Sequence, residues 1–456
     1  MLSHIKLLVI FLLILCNAAY AQSWTNVGSP GFSNGFAAYT SIAIDGSGTP
    51  YIVYSDADSS NKATVMKFNG TDWVPLGSRG FSAGKVAYST IAIGRNDTVY
   101  VAYEDFGNSS RATVMKYDGS NWVNVGIAGF SIGEVQFMTL ATDSNGTPFV
   151  AYSDDGNSGR ATVMKYNGSS WVNVGSPGFS AGSAGSTSIA ISGSGTPYVA
   201  YMDFPDSAKA TVMKFDGSSW VTVGNRGFSV WEALTTSMAI DSSGVPYVVL
   251  GDFARGGKAT VMKYNGSSWV NVGAPALSDS DAAYFAIALD RGGTPYVVYP
   301  DAADSSKATV KKYNDTSWVT VGSVGFSAGG VVSPSIKISP GGVIYVGYED
   351  YGTGRRASVM RFGTPDSATN IIPPSTEAGS ITISPNPNQG AFTLLLSSPA
   401  NEAARVTITN ILGEKIKEYG IPTNKKTEIQ LDVPAGMYFV SAVSGQGVQC
   451  GKLDVR

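Results

Sequence analysis

Short runs of Val, Ile, Tyr and Thr alternate with clusters of Gly, Asn, Asp and Ser from about residue 23 to residue 362. Branched and aromatic residues bounded by turn formers predict β-strands. Residues 73–122 show one full cycle. A short extended run at 73–77 leads into a Gly/Phe/Ser loop over 78–88. Strands are then predicted at 90–93, 99–103 and 112–117, and Asp118-Gly119-Ser120-Asn121 turns the chain into Trp122. Asn-Gly or Asp-Gly between two such runs is a strong hairpin signal. It recurs at Asn69-Gly70, Asp118-Gly119, Asn167-Gly168, Asp216-Gly217 and Asn265-Gly266. Apolar residues fall on both sides of most runs, so most strands require cover on both faces.

The cycle has a fixed length. Trp24, Trp73, Trp122, Trp171, Trp220, Trp269 and Trp318 stand 49 residues apart, and of the eight tryptophans only Trp231 lies off this ladder. Four strands per unit and seven units predict an all-β, seven-bladed β-propeller over residues 22–363. The long loop after each ladder Trp serves as the crossing between blades. The SIAI-type run is then innermost, with small Ala at the crowded axis, and the Trp run is outermost. The chain begins with an outer strand, residues 23–28, that has no hairpin partner. It ends the repeats with residues 357–362, which no Trp strand follows. Pairing of these two orphans would close the ring, whereas a linear solenoid gives no reason for them.

The pattern stops after Phe362. Residues 364–379 read as a linker, rich in Pro, Ser and Thr. Residues 380–456 carry seven further short strands and predict a small antiparallel β-sandwich. Within them stand Ser384-Pro385-Asn386-Pro387 with Gly390, then Asn410-Ile411-Leu412-Gly413-Glu414. Pro434-Ala435-Gly436-Met437-Tyr438 and Lys452-Leu453-Asp454-Val455 follow. In order and spacing this module resembles the type A C-terminal sorting domain of the type IX secretion system of Bacteroidota. The resemblance implies Sec export, passage through the outer membrane by that machinery and removal of the module. It further implies release or attachment at the outer surface of a Gram-negative cell. The motif positions it marks are Pro385, Asn386, Pro387, Gly390, Gly413, Gly436, Tyr438 and Lys452.

The other end of the chain is consistent with export. Residues 1–21 combine His4 and Lys6, an apolar run over 7–16, and Ala19-Tyr20-Ala21, the pattern of a secretory signal peptide cut between Ala21 and Gln22. The run is too short to span a bilayer, and no later stretch reads as a transmembrane helix. A lipoprotein reading would use Cys16, but Leu15 precedes it where a small residue is usual. The net charge of −3 gives no footprint for nucleic acid. A chain starting at Gln22 has no histidine and one thiol, Cys450. It therefore has no internal disulfide and no His-based general base.

Repetition inside the chain marks candidate chemistry. Asp56, Asp105, Asp154, Asp203, Asp252, Asp301 and Asp350 share one register, and Lys or Arg follows six residues after each. One reading is a turn cap that pairs across the hairpin with that basic residue. The other is a ring of carboxylates on one rim, contacting a cation or glycan hydroxyls. Additional loop acids such as Asp58, Asp155, Asp206 and Asp304 leave Ca²⁺ as a weak option, since calcium needs six to eight oxygens. No other cofactor is indicated. The repeated Gly-Phe-Ser of the crossing loops places Phe between blades and Ser on the loop backbone. Trp231 stands where most units have Gly, on the face carrying the crossing loops and Asp hairpins, and is a candidate stacking platform. These features fit a non-enzymatic binding or adhesion propeller for a glycan or a surface protein. An extracellular polysaccharide hydrolase or lyase, and a structural spacer of the envelope, remain the alternatives.

Overall fold

The structure is a computed structural model and describes residues 23–281, 284–363, 381–410, 415–444 and 447–456. The signal segment with Ala21 and Gln22, the linker at 364–379 and Gly413 lie outside these residues. The chain divides into two compact units on either side of residue 367.

The first unit is a β-propeller built from seven four-stranded antiparallel sheets. The second blade runs inner strand Val86–Ile93, second strand Val99–Asp105, third strand Arg111–Tyr117 and outer strand Trp122–Asn124. The seventh blade takes its outer strand, Thr25–Asn26, from the other end of the chain. That strand pairs with Arg356–Phe362 in the register Thr25↔Arg361 and Asn26↔Met360. The first and seventh inner strands also meet, where the Thr40 hydroxyl donates to the Ser333 carbonyl at 2.9 Å.

The ladder tryptophans connect neighbouring blades. The Trp73 indole N–H donates to the Val27 carbonyl at 2.7 Å, and its ring stacks on Phe32 of the preceding crossing loop at 4.6 Å. The same pair recurs as Phe130 on Trp171 at 4.4 Å and Phe179 on Trp220 at 4.0 Å. Trp318 has no such partner because Leu277 replaces the phenylalanine. Gly77 has a φ of +71° and a Cβ there would lie 3.1 Å from Trp122, so this bend needs glycine. The loop serine acts on the backbone as expected: Ser180 Oγ accepts from Ala161 N–H and donates to the Gly182 carbonyl.

In six of the seven blades the inner strand is longer than the sequence pattern indicates; the sixth, Ala286–Leu289, keeps the four residues of the pattern. In the second blade the ladder starts at Val86, not Thr90, because a bulge between Ala87 and Thr90 carries the strand past Tyr88 in a left-handed conformation. The second unit of the chain is a sandwich. One sheet holds Ile381–Ser384, Ala391–Leu396 and Thr427–Gln430. The other holds Lys415–Pro422, Ala403–Asn410, Gly436–Ser444 and Gly447–Val455. Phe392, Leu394, Val406, Ile408, Ile429, Val440 and Leu453 pack between them.

Candidate functional site

The seven repeated aspartates are internal. Asp56, Asp105, Asp154, Asp203, Asp252, Asp301 and Asp350 are all buried, at 5 % exposure or less. Asp154 shows the wiring. One oxygen accepts from Gly156 N–H, and the other accepts from the Asn157 amide and the Thr162 hydroxyl. Thr162 in turn accepts from Gly178 N–H of the next crossing loop. A buried carboxylate with three donors is a structural cap. The other six share its burial but not in every case its donors, and one oxygen of Asp301 has no hydrogen-bond partner, so these side chains lie inside the blades and not as an open carboxylate ring on the rim. The basic residue six positions on is not the ion-pair partner of Asp56 or Asp203. Asp56 faces Lys62 only through the ladder, and its ion pair is with Arg79 at 3.2 Å. Asp203 likewise pairs with Arg226 from the following loop. Among the described residues no group of three or more His, Cys, Asp or Glu is arranged to hold a metal ion.

The face above these caps has a different surface. Each Asp opens a short 3-10 turn, and in four blades the next residue is an exposed aromatic: Phe106, Phe204, Phe253 and Tyr351. Phe36, Ile132 and Trp231 are exposed on the adjoining crossing loops. Trp231 is 61 % exposed, and its backbone carbonyl accepts from Ser229 Oγ. Every large hydrophobic side chain exposed in the propeller, among the described residues, lies in these loops, their approaches or the mouth of the axis above them. Sequence reasoning singled out Trp231 and passed over the turn aromatics. Their signal was an aromatic at one register directly after the repeated Asp, in Asp105-Phe106, Asp203-Phe204, Asp252-Phe253 and Asp350-Tyr351.

The axis itself carries a second set. Tyr39, Tyr88, Phe137, Ser186, Thr235 and Ser333 occupy one register on the inner strands, and Tyr284 holds the same register just before the sixth, Ala286–Leu289. Tyr39, Tyr88, Phe137, Ser186 and Ser333 all have φ between 47° and 54°. A left-handed backbone at a bulky residue costs about 1–3 kcal/mol and is held by its surroundings. Here the neighbouring blade holds it, as Ser89 Oγ donates to the Tyr39 carbonyl at 2.8 Å. Tyr39, Tyr88 and Phe137 form a continuous arc with ring centroids 5.3 Å apart. Tyr284 is exposed, and hydroxyl side chains hold the remaining positions of this register. Burial raises the Tyr39 and Tyr88 phenols above their ordinary range, and the Glu104 charge adds to this. The Glu104 carboxyl is itself raised, chiefly by burial. A hydrogen bond from Ser110 opposes the rise, and the charges of Glu134 and Asp155 add to it.

The opposite face is made of polar turns. Asp45 and Asp143 accept from the backbone of their own hairpins, as turn residues do. A cavity of about 510 Å³ opens there, lined by Ile44, Asp45, Asp97, Leu289, Asp290 and Ser339 among others.

In the C-terminal unit the motif residues fasten the end of the chain. Asn386 donates to the Lys452 carbonyl at 2.6 Å and accepts from Asp454 N–H at 2.8 Å. Pro385 and Pro387 flank it. Gly390 has a φ of +89°, and a Cβ there would lie 2.5 Å from the Leu431 carbonyl oxygen. Gly436 opens the penultimate strand, and the Tyr438 hydroxyl donates to the Pro434 carbonyl at 2.7 Å.

Residues 382–456 match the secretion system C-terminal sorting domain family. The match implies handling by the type IX secretion machinery and an extracellular or cell-surface location. It covers this module and leaves the propeller outside it. No curated protein matches the chain. Among solved structures, the chain is similar to a protein of unknown function from Dyadobacter fermentans, at 10 % identity and a TM-score of 0.45, covering 75 % of this chain and 98 % of that one. It is similar to an ulvan lyase of polysaccharide lyase family 25 at 12 % identity and a TM-score of 0.47, covering 74 % and 95 %. The six-bladed Aleuria aurantia lectin follows at 15 % identity and a TM-score of 0.41, covering 66 % and 95 %. No helix among the described residues is long and apolar enough to cross a membrane.

Proposed function

We propose that the protein is a non-enzymatic binding module, exported by the type IX system of a Gram-negative bacterium and displayed or released at the cell surface. Its signal peptide is removed at Ala21/Gln22, and the propeller forms a ring closed by strands from both chain ends. The ligand is a glycan or a surface protein, held by the loop face. One observation carries this reading: the exposed aromatics of the propeller are gathered on that face. Contiguous exposed apolar surface marks interaction sites, and aromatic faces stack on sugar rings or anchor protein partners. Trp231 and the turn aromatics Phe106 and Phe253 serve as its anchors. A polysaccharide hydrolase or lyase is the second reading, favoured by the group of acids around Glu104, since paired carboxylates serve glycosidic chemistry.

The test is a glycan and surface-extract array probed with residues 22–363, beside variants Trp231→Ala and Phe106→Ala/Phe253→Ala. Binding that the variants lose, without turnover, supports the module. Turnover of any polymer supports the enzyme. Binding that all variants retain at wild-type strength removes the loop face from the proposal.

A further inference from the structure

The repeats supply an internal reference for one further site. Glu349 precedes the buried Asp350 on the second strand of the seventh blade and is 2 % exposed. The Arg355 guanidinium pairs with it. The same guanidinium lies 5.3 Å from the Phe36 ring centroid and 5.5 Å from that of Tyr351. A cation is thus seated on a carboxylate and between two aromatic faces, in a place where 45 % of the arginine side chain still meets solvent.

The second blade repeats this seat without the arginine. Glu104 stands at the register of Glu349, with the same ladder partners: Ala87 and Ala112 in one blade, Val332 and Ala357 in the other. It is 8 % exposed. Phe106 stands at the register of Tyr351 and opens the same 3-10 turn. Ser110 stands where Arg355 stands, with a similar left-handed φ of 55° against 63°. Glu134 replaces Phe36, and Asp155 is close enough that both act on Glu104 electrostatically. The second blade therefore keeps the buried carboxylate and an exposed aromatic at the same turn position, adds two exposed acids, and lacks the arginine. In the other five blades the Glu104 register holds Ser55, Ser153, Met202, Gly251 and Pro300, so only these two blades carry an acid there.

We infer that Glu104, Phe106, Glu134 and Asp155 form a seat for the guanidinium or alkylammonium head group of a ligand. A buried carboxylate is costly unless paired, and an incoming cation supplies the pair. The inference rests on the loop face being the binding face and names the chemistry of one position on it. An arginine or lysine side chain of a protein partner and the amine of an amino sugar share this chemistry.

Ligand-observed NMR titration of the full chain tests it. The probes are N-acetyl-argininamide and its uncharged isostere N-acetyl-citrullinamide, then glucosamine and N-acetylglucosamine. The expected result is that at least one charged probe binds roughly tenfold or more tightly than its neutral partner, a difference of about 1.4 kcal/mol. Glu104→Gln, which keeps the shape, should lose that preference. Ser110→Arg installs the twin's guanidinium and should abolish binding while raising Tm, which also shows that the variant is folded. Preference for argininamide points to a protein side chain, and preference for glucosamine to an amino sugar. The inference is overturned if neutral and charged probes bind within twofold of each other, if no probe binds, or if Glu104→Gln retains the charge preference. Each of these results leaves the loop-face reading standing as long as Trp231→Ala and Phe106→Ala/Phe253→Ala still lose array binding.

Discussion

Replacing Trp24 with alanine tests whether the two chain ends hold the propeller together. Trp24 is 8 % exposed, its indole donates to the Val321 carbonyl at 2.8 Å, and its ring stacks on Phe326 at 3.8 Å. Truncating a buried aromatic of this size costs about 3–5 kcal/mol, with the lost hydrogen bond and stacking included in that range. With an unfolding entropy near 2.1 cal/mol/K per residue over roughly 340 residues, this lowers Tm by about 4–7 °C. Trp171→Ala is the matched control. Trp171 is buried to the same degree, donates to Val125 at 2.7 Å and stacks on Phe130 at 4.4 Å. The two tryptophans make the same contacts, but Trp24 reaches 297 residues along the chain and Trp171 only 46. Differential scanning calorimetry of residues 22–363 should give equal losses, within about 1 kcal/mol. A Trp24→Ala variant that melts like wild type while Trp171→Ala falls by several degrees would refute the closed ring. In an open array the side chain of Trp24 would have little to pack on.

Three more outcomes follow from the turns and the C-terminal module. Asp118 and Asp216 accept backbone N–H groups in exposed hairpin turns, which lowers both carboxyls, that of Asp216 to about 2. A depressed folded pKa contributes stability above the unfolded value of ~3.9, and the contribution is lost as pH falls through the folded one. Other units use Asn at this position, as in Asn167 and Asn265, with the same backbone bonds. Asp118→Asn/Asp216→Asn should therefore lose less Tm than wild type between pH 5 and pH 2, and parallel loss would contradict the assignment. In the C-terminal module, a periplasmic reporter fused to residues 380–456 should reach the surface or medium only when the type IX system is intact. Asn386→Ala removes both side-chain bonds to the last strand and should leave most of the reporter in the periplasm; export at the wild-type level would show that this clamp is not needed.

The sequence by itself determined the period, the four runs per unit, the orphan strands at the ends and the C-terminal module. These are properties of spacing: a turn residue or an apolar run keeps its place in the chain whatever surrounds it. Tertiary structure decided which side chains face water. The repeated aspartates look like surface acids in one dimension. Thr162 reaches Asp154 across the hairpin and Gly178 of the next crossing loop caps that threonine, so packing between consecutive repeats draws the carboxylate inside. Phe106 and Tyr351 read as core residues by type, yet each begins a turn that projects above the buried cap and stays exposed. The lengthened inner strands escaped the pattern because a bulge interrupts the two-residue alternation that identifies a strand. The kinship of Glu104 with Glu349 is visible as a register match. That the seventh blade fills its seat with Arg355 while the second offers only Ser110 emerged from the fold, because charge pairing depends on which side chains the turn directs toward one another.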